Sequence, residues 1–88
     1  MTFKKSTYKN NGNLAIIAFE DDGGQYGVLT VNIDILMPGF ATLDTNNCPK
    51  AEEVAKNLGA VPTGQYLTSG FCQYPLYDFN SVELEELE

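Results

Sequence analysis

TLDTNNCPKAEEVAKNLG, residues 42–59, decides how the rest of the chain is read. It carries the clearest helical pattern, and the stretches on either side read mainly as strands. Pro49 suits the first turn of a helix, where its missing N–H costs no intrahelical bond. Glu52 and Glu53 sit near the positive end of the helix dipole, and Lys56 near the negative end. Ala51, Val54, Ala55 and Leu58 recur at i, i+3, i+4 and i+7 as one apolar stripe. Gly59 falls where a left-handed C-terminal residue belongs. The spacing therefore predicts a helix over 49–58. Asn46 and Asn47 stand just before it, able to accept its first N–H bonds or to form a turn.

Working back toward residue 1, the chain reads as a meander. Ser6 to Lys9 is a short polar-aromatic strand, and Asn11-Gly12 is a strong signal for a type I′ hairpin turn. Residues 14–19 are apolar at both parities, as in a central strand covered on both faces. Asp22-Gly23 marks a second hairpin. Residues 26–35 alternate, with Leu29, Val31, Ile33 and Ile35 on one face and Val28, Thr30, Asn32 and Asp34 on the other. Pro38-Gly39 makes a turn, and residues 40–43 form a fourth strand.

Beyond the helix, residues 61–79 hold Tyr66, Phe71, Tyr74, Tyr77 and Phe79. Residues 65–69 read as a strand and Gly70 as a bulge or tight bend. Residues 71–74 read as another strand, confined to an edge or ended by Pro75. The rings serve as core over the sheet, as an exposed Tyr-rich interface, or as both for different rings. Residues 81–88 form an acidic tail. Asn80 with Glu83 has capping-box spacing, while residues 82–85 alternate like a strand. The expected fold is one α+β domain spanning 1–88: a four-strand antiparallel meander, a helix packed on one face, then one or two strands.

Charge narrows the function more than any motif does. Twelve acidic residues against five lysines give −7, with no Arg, His or Trp. Phosphate binding needs cations, and the commonest base contacts need Arg, so direct binding to nucleic acid is not expected. No apolar run reaches the ~18–20 residues of a membrane span, and residues 1–5 lack the apolar region of a secretory signal. A cytoplasmic protein is expected. Cys48 and Cys72 are then read as free thiols, chiefly packing groups. Cys48 at a helix N-terminus would have a lowered pKa, but the chain has no His to act as its base. Two Cys without His also fall short of a zinc site. No catalytic residue, metal or cofactor is expected.

Five stretches stand out as a set: residues 10–16, 29–33, 44–49, 62–66 and 69–79. Together they resemble a family of short uncharacterised proteins carried by bacterial phages and conjugative elements, over roughly residues 8–80. That resemblance implies a setting in mobile genetic elements, where small acidic proteins often act as anti-CRISPR or anti-restriction inhibitors. It transfers no activity and no functional residue.

The favoured reading is a monomeric acidic interaction protein that blocks the basic nucleic-acid-binding site of a bacterial defence complex, in the manner of a DNA mimic. Carboxylates on a rigid scaffold can match a phosphate row and speed association. The residues expected to meet the partner are Glu20, Asp21, Asp22, Asp34, Asp44, Tyr74, Tyr77, Glu83, Glu85 and Glu86. Two alternatives stand beside it: a small ligand-binding domain or enzyme using the Asp44–Cys48 loop, and an acidic domain without mimicry whose charge only keeps it soluble.

Overall fold

The computed structural model describes residues 2–9, 12–33 and 38–86. In chain order the elements are β1 (Thr2–Thr7), β2 (Leu14–Phe19), β3 (Gln25–Val28), β4 (Thr30–Val31), β5 (Phe40–Leu43), α1 (Ala51–Leu58), β6 (Val61–Ser69), β7 (Cys72–Asp78) and β8 (Glu85–Glu86). They form two four-stranded sheets, ordered β3-β2-β1-β8 and β4-β5-β7-β6. The mixed α+β class agrees with the sequence reading, but the single meander does not. Leu14–Phe19 and Phe40–Leu43 are strands with the bounds read from sequence. β1 instead runs from Thr2 to Thr7, ahead of the expected 6–9. The turns at 22–23 and 38–39 form, with Gly23 and Gly39 at positive φ. Asn11 lies outside the described residues; the hairpin it was expected to turn does form, pairing β1 with β2 antiparallel.

The meander fails at Leu29. β3 pairs with β2 in the first sheet, whereas β4, one residue further on, pairs with β5 in the second. Leu29 N–H still donates to the Ile16 carbonyl at 2.8 Å. Thr30 then turns its hydroxyl to the same strand, and Ile16 N–H donates to Thr30 Oγ1 at 3.2 Å. A buried amide that loses its ladder partner must find another acceptor, and here a side chain supplies it. The Tyr8 hydroxyl lies 3.0 Å from the same Oγ1. Thr30, expected on a polar face, is thus buried at the corner between the sheets. Thr30→Val keeps the shape and removes the acceptor. It is expected to cost ~1–3 kcal/mol, the price of an orphaned buried N–H, read as a lower urea midpoint at unchanged slope.

The core fills the corner. Ile16 from the first sheet and Leu29 from the junction between the sheets meet Ala41, Leu43, Tyr77 and Phe79 near the second. The helix closes this corner with Ala51 and Ala55, both fully buried, while Val54 and Leu58 pack at its margin. The apolar stripe is therefore the one read from sequence. The helix begins two residues later than expected, at Ala51, and Lys50 precedes it without a side-chain cap. Gly59 ends it at φ 100° in the left-handed region.

β7 crosses Pro75 without stopping. The register explains why a proline is accepted inside a strand with neighbours on both sides. Pairing with β5 ends at Thr42↔Leu76, so beside Pro75 only β6 remains, through Tyr66↔Pro75. β8 settles the ambiguity of the acidic tail: it is a short strand, paired parallel to β1.

Candidate functional site

The acidic residues expected to meet a partner separate into three groups. Glu20, Asp21 and Asp22 are exposed on the β2–β3 turn. That turn is rigidly built: Glu20 N–H donates to the Gly24 carbonyl at 2.8 Å, and Gly24 N–H donates to Asp22 Oδ1 at 2.9 Å. Glu83, Glu85 and Glu86 are exposed at the β8 edge of the same sheet. β1 stands between the groups, with Thr2 opposite Phe19 on one side and Lys4 opposite Glu85 on the other. Because β8 runs parallel to β1, the chain before Glu85 comes from the Thr2 end, where the 20–22 turn also lies. The strand order thus sets two clusters distant in sequence on one sheet, about two strand spacings apart, or roughly 10 Å. Lys4 sits within this acidic region. Its Nζ is 3.9 Å from Glu85 Oε2 and 5.9 Å from the centre of the Phe19 ring. An exposed pair at that distance contributes little to stability.

The remaining expected residues are placed elsewhere. Asp34 lies outside the described residues. Asp44 is half-buried, and its carboxylate organises its own loop. Oδ1 accepts the Asn47 N–H at 3.2 Å and Oδ2 accepts the Asn47 side-chain amide at 3.0 Å. The Asp44 carbonyl accepts the Cys48 N–H at 2.9 Å. The Asn pair therefore shapes a turn ahead of the helix and does not cap it. Tyr74 and Tyr77, named as contact residues, are buried at 9% and 0% exposure, so neither presents a surface. Tyr77 Oη donates to Glu52 Oε1 at 2.8 Å. Burial, and then the adjacent Glu52 carboxylate, push the Tyr77 hydroxyl up to about 12. A hydrogen bond with Cys72 is the main cause holding Tyr74 above the usual tyrosine range.

The exposed rings are others: Tyr26, Tyr66 and Phe71. The sequence reading chose Tyr74 and Tyr77 from the aromatic segment instead, and Tyr26 lies outside that segment. Parity does not separate the rings: Tyr66 lies opposite Pro75, on the same face as the wholly buried Tyr77, and its place on the outer strand β6 is what leaves it exposed.

A family described as a domain of unknown function (DUF4313) matches residues 2–88. The chain belongs to that family. No curated protein and no solved structure matches this DUF4313 domain.

The alternative site, the Asp44–Cys48 loop, acquires no catalytic geometry. Cys48 and Cys72 are both free and half-buried. A shallow cleft of about 150 Å³ lies elsewhere, lined by Lys5, Leu14, Ile16, Phe79, Val82 and Leu84 among others. It is smaller than the ~300–1,000 Å³ of ordinary ligand sites, and a neighbouring open cleft of about 310 Å³, lined by Lys5, Ser6, Thr7, Leu14 and Glu86, only reaches the lower end of that range. Among the described residues, no group of three or more His, Cys, Asp or Glu could hold a metal ion. None of the helices there is long and apolar enough to cross a membrane.

Proposed function

We propose that this chain is an acidic interaction protein of a mobile genetic element, and that it inhibits a bacterial defence system by covering a basic nucleic-acid-binding surface. The observation that supports this reading is the gathering of Glu20, Asp21, Asp22, Glu83, Glu85 and Glu86 on one sheet of a chain with net charge −7. Carboxylates on the hydrogen-bonded 20–22 turn lose little freedom on binding, and the summed field of both clusters steers a cationic partner. The anti-CRISPR or anti-restriction setting comes from the family resemblance stated above. The partner, by its chemistry, is a protein or nucleoprotein that presents Lys and Arg for phosphates. This chain competes with DNA or RNA for those cations.

The test is association with such a complex across a salt titration. Reversing Glu20, Asp21 and Asp22 to Lys adds two charges at each position and takes the formal charge from −7 to −1. The expected result is association slowed on the order of ten- to a hundred-fold, with a flatter salt dependence and a melting temperature close to that of the parent. Reversal of Glu83, Glu85 and Glu86 is expected to act in the same direction. Affinity independent of salt and untouched by either reversal would overturn the reading.

A further inference from the structure

The feature that the proposed function leaves unused is the β6–β7 hairpin. From Asn57 to Tyr77 the sequence has no charged residue, in a chain where nearly one residue in five is charged. β6 is the outer strand of its sheet. Past Pro75 its partner β7 has lost β5, so residues 66–74 extend as a two-stranded ribbon. The ribbon ends in a two-residue loop with Gly70 at φ 62° and Phe71 at negative φ, the type II′ arrangement. Phe71, at its tip, is wholly exposed, and Tyr66 is more than half exposed.

Natural sheets protect an edge with Lys, Pro, a bulge or a cover. Here the protection is confined to one end. Pro62 and a register shift mark that end, with Gly64 at φ 83°. The segment from Tyr66 to Ser69 has none of these devices. Pro75 has no N–H, so Tyr66↔Pro75 is a non-hydrogen-bonded pair. Alternation along an antiparallel ladder makes Thr68↔Gln73 another. Tyr66 and Thr68 therefore aim their N–H and C=O groups away from β7, off the edge of the sheet.

We infer that this edge pairs with the same edge of a second copy of the chain, antiparallel and centred on Leu67. Two observations favour a second copy as the occupant. The outward-facing residues, Tyr66 and Thr68, flank Leu67 symmetrically, so Tyr66 of each copy meets Thr68 of the other in a hydrogen-bonded pair and the two-fold axis passes through Leu67. The segment carries no charge, so two chains of −7 can meet there without opposing carboxylates. This assembly replaces the monomer expected from sequence, and it does not depend on the proposed function. The contact is smaller than the ~800 Å² per partner of a standard interface, so association is expected in the micromolar to sub-millimolar range.

The experiment is sedimentation velocity over a wide concentration series under reducing conditions, with amide chemical shifts followed in parallel. The expected result is a monomer–dimer equilibrium in which the Tyr66 and Thr68 amides shift with concentration. Two variants test the site while sparing the fold. Thr68→Pro removes an N–H that β7 does not use, and Thr68→Asp places a carboxylate at an exposed position of the seam in each copy. Each is expected to weaken dimerisation at least tenfold with the melting temperature nearly kept. A wild type that stays monomeric throughout would overturn the inference. So would a dimer indifferent to both variants, a dimer that forms only when cysteines are oxidised, or an edge that pairs with a foreign strand peptide and never with itself.

Discussion

Tyr77→Ala is expected to lower stability by about 3–5 kcal/mol, the range for removing a large aromatic from a filled core. Tyr77 is wholly buried on β7 and meets residues of both sheets and the helix in one cluster. Its ring is the packing element, while its hydroxyl is a tether to Glu52. Tyr77→Phe separates the two. It keeps the ring and leaves Glu52 half-exposed to water, so about 1 kcal/mol is expected. The two variants also differ in alkali. The folded-state Tyr77 hydroxyl stands at about 12 against an ordinary 10.0. A raised pKa means the folded state holds the proton more tightly. This contribution to stability is complete below pH 10 and is lost as pH climbs through about 12. Tyr77→Phe lacks it, so parent and variant stability curves should converge across that window in equilibrium unfolding. Parallel curves would show that the hydroxyl is not held as the structure places it.

Ala55→Asp is expected to be as severe, at about 4 kcal/mol or more, by placing a charge at a position with no exposure and no polar partner. The comparison that gives this value meaning is Val54→Asp. Periodicity alone makes Val54 and Ala55 equivalent members of one stripe, and the sequence singles out neither. In the structure Ala55 points into the corner between the sheets, whereas Val54 is half-buried at its margin. An Asp at 54 can reach water, and about 1–2 kcal/mol is expected. Thermal or denaturant melts of the pair measure how the helix is rotated over the core. Equal losses would mean that the helix sits differently.

What could be read from the residues was whatever depends on near neighbours. Leu14–Phe19, Phe40–Leu43, the turns at Gly23 and Gly39, and the left-handed Gly59 follow from side-chain parity or from backbone freedom within a few positions. The helix start was read two residues early, because Pro49 is compatible with a first turn and equally with the turn that Asp44 and Asn47 build. The switch between sheets at Leu29 was hidden. It is made tolerable by the Thr30 hydroxyl accepting from Ile16 N–H, and alternation of apolar residues carries no mark of that bond. Pro75 misled for a similar reason. A proline forbids a ladder bond on one side only, and where β5 stops is not written near Pro75. The acidic candidates split the same way: residues 20–22 announce a turn locally, but the position of 83–86 beside β1 depends on a contact spanning nearly the whole chain.

That last contact has a consequence in time. Every other neighbouring pair of strands in the first sheet is joined by a short turn and can form as soon as its own residues are available. β1 and β8 are brought together only by closing a loop from Lys4 to Glu85, and they gain two register pairs and one ion pair for it, beside the packing of the half-buried Val82 and Leu84 at the edge of the core. Loop closure of that length is slow, and so short a ladder makes this the weakest pairing of the sheet. β8 should therefore join last during folding and detach first from the native state, with amide exchange at residues 85 and 86 faster than in β2. The two acidic clusters then differ in kind. Residues 20–22 ride on a turn closed by its own hydrogen bonds, whereas residues 83–86 are released whenever β8 opens.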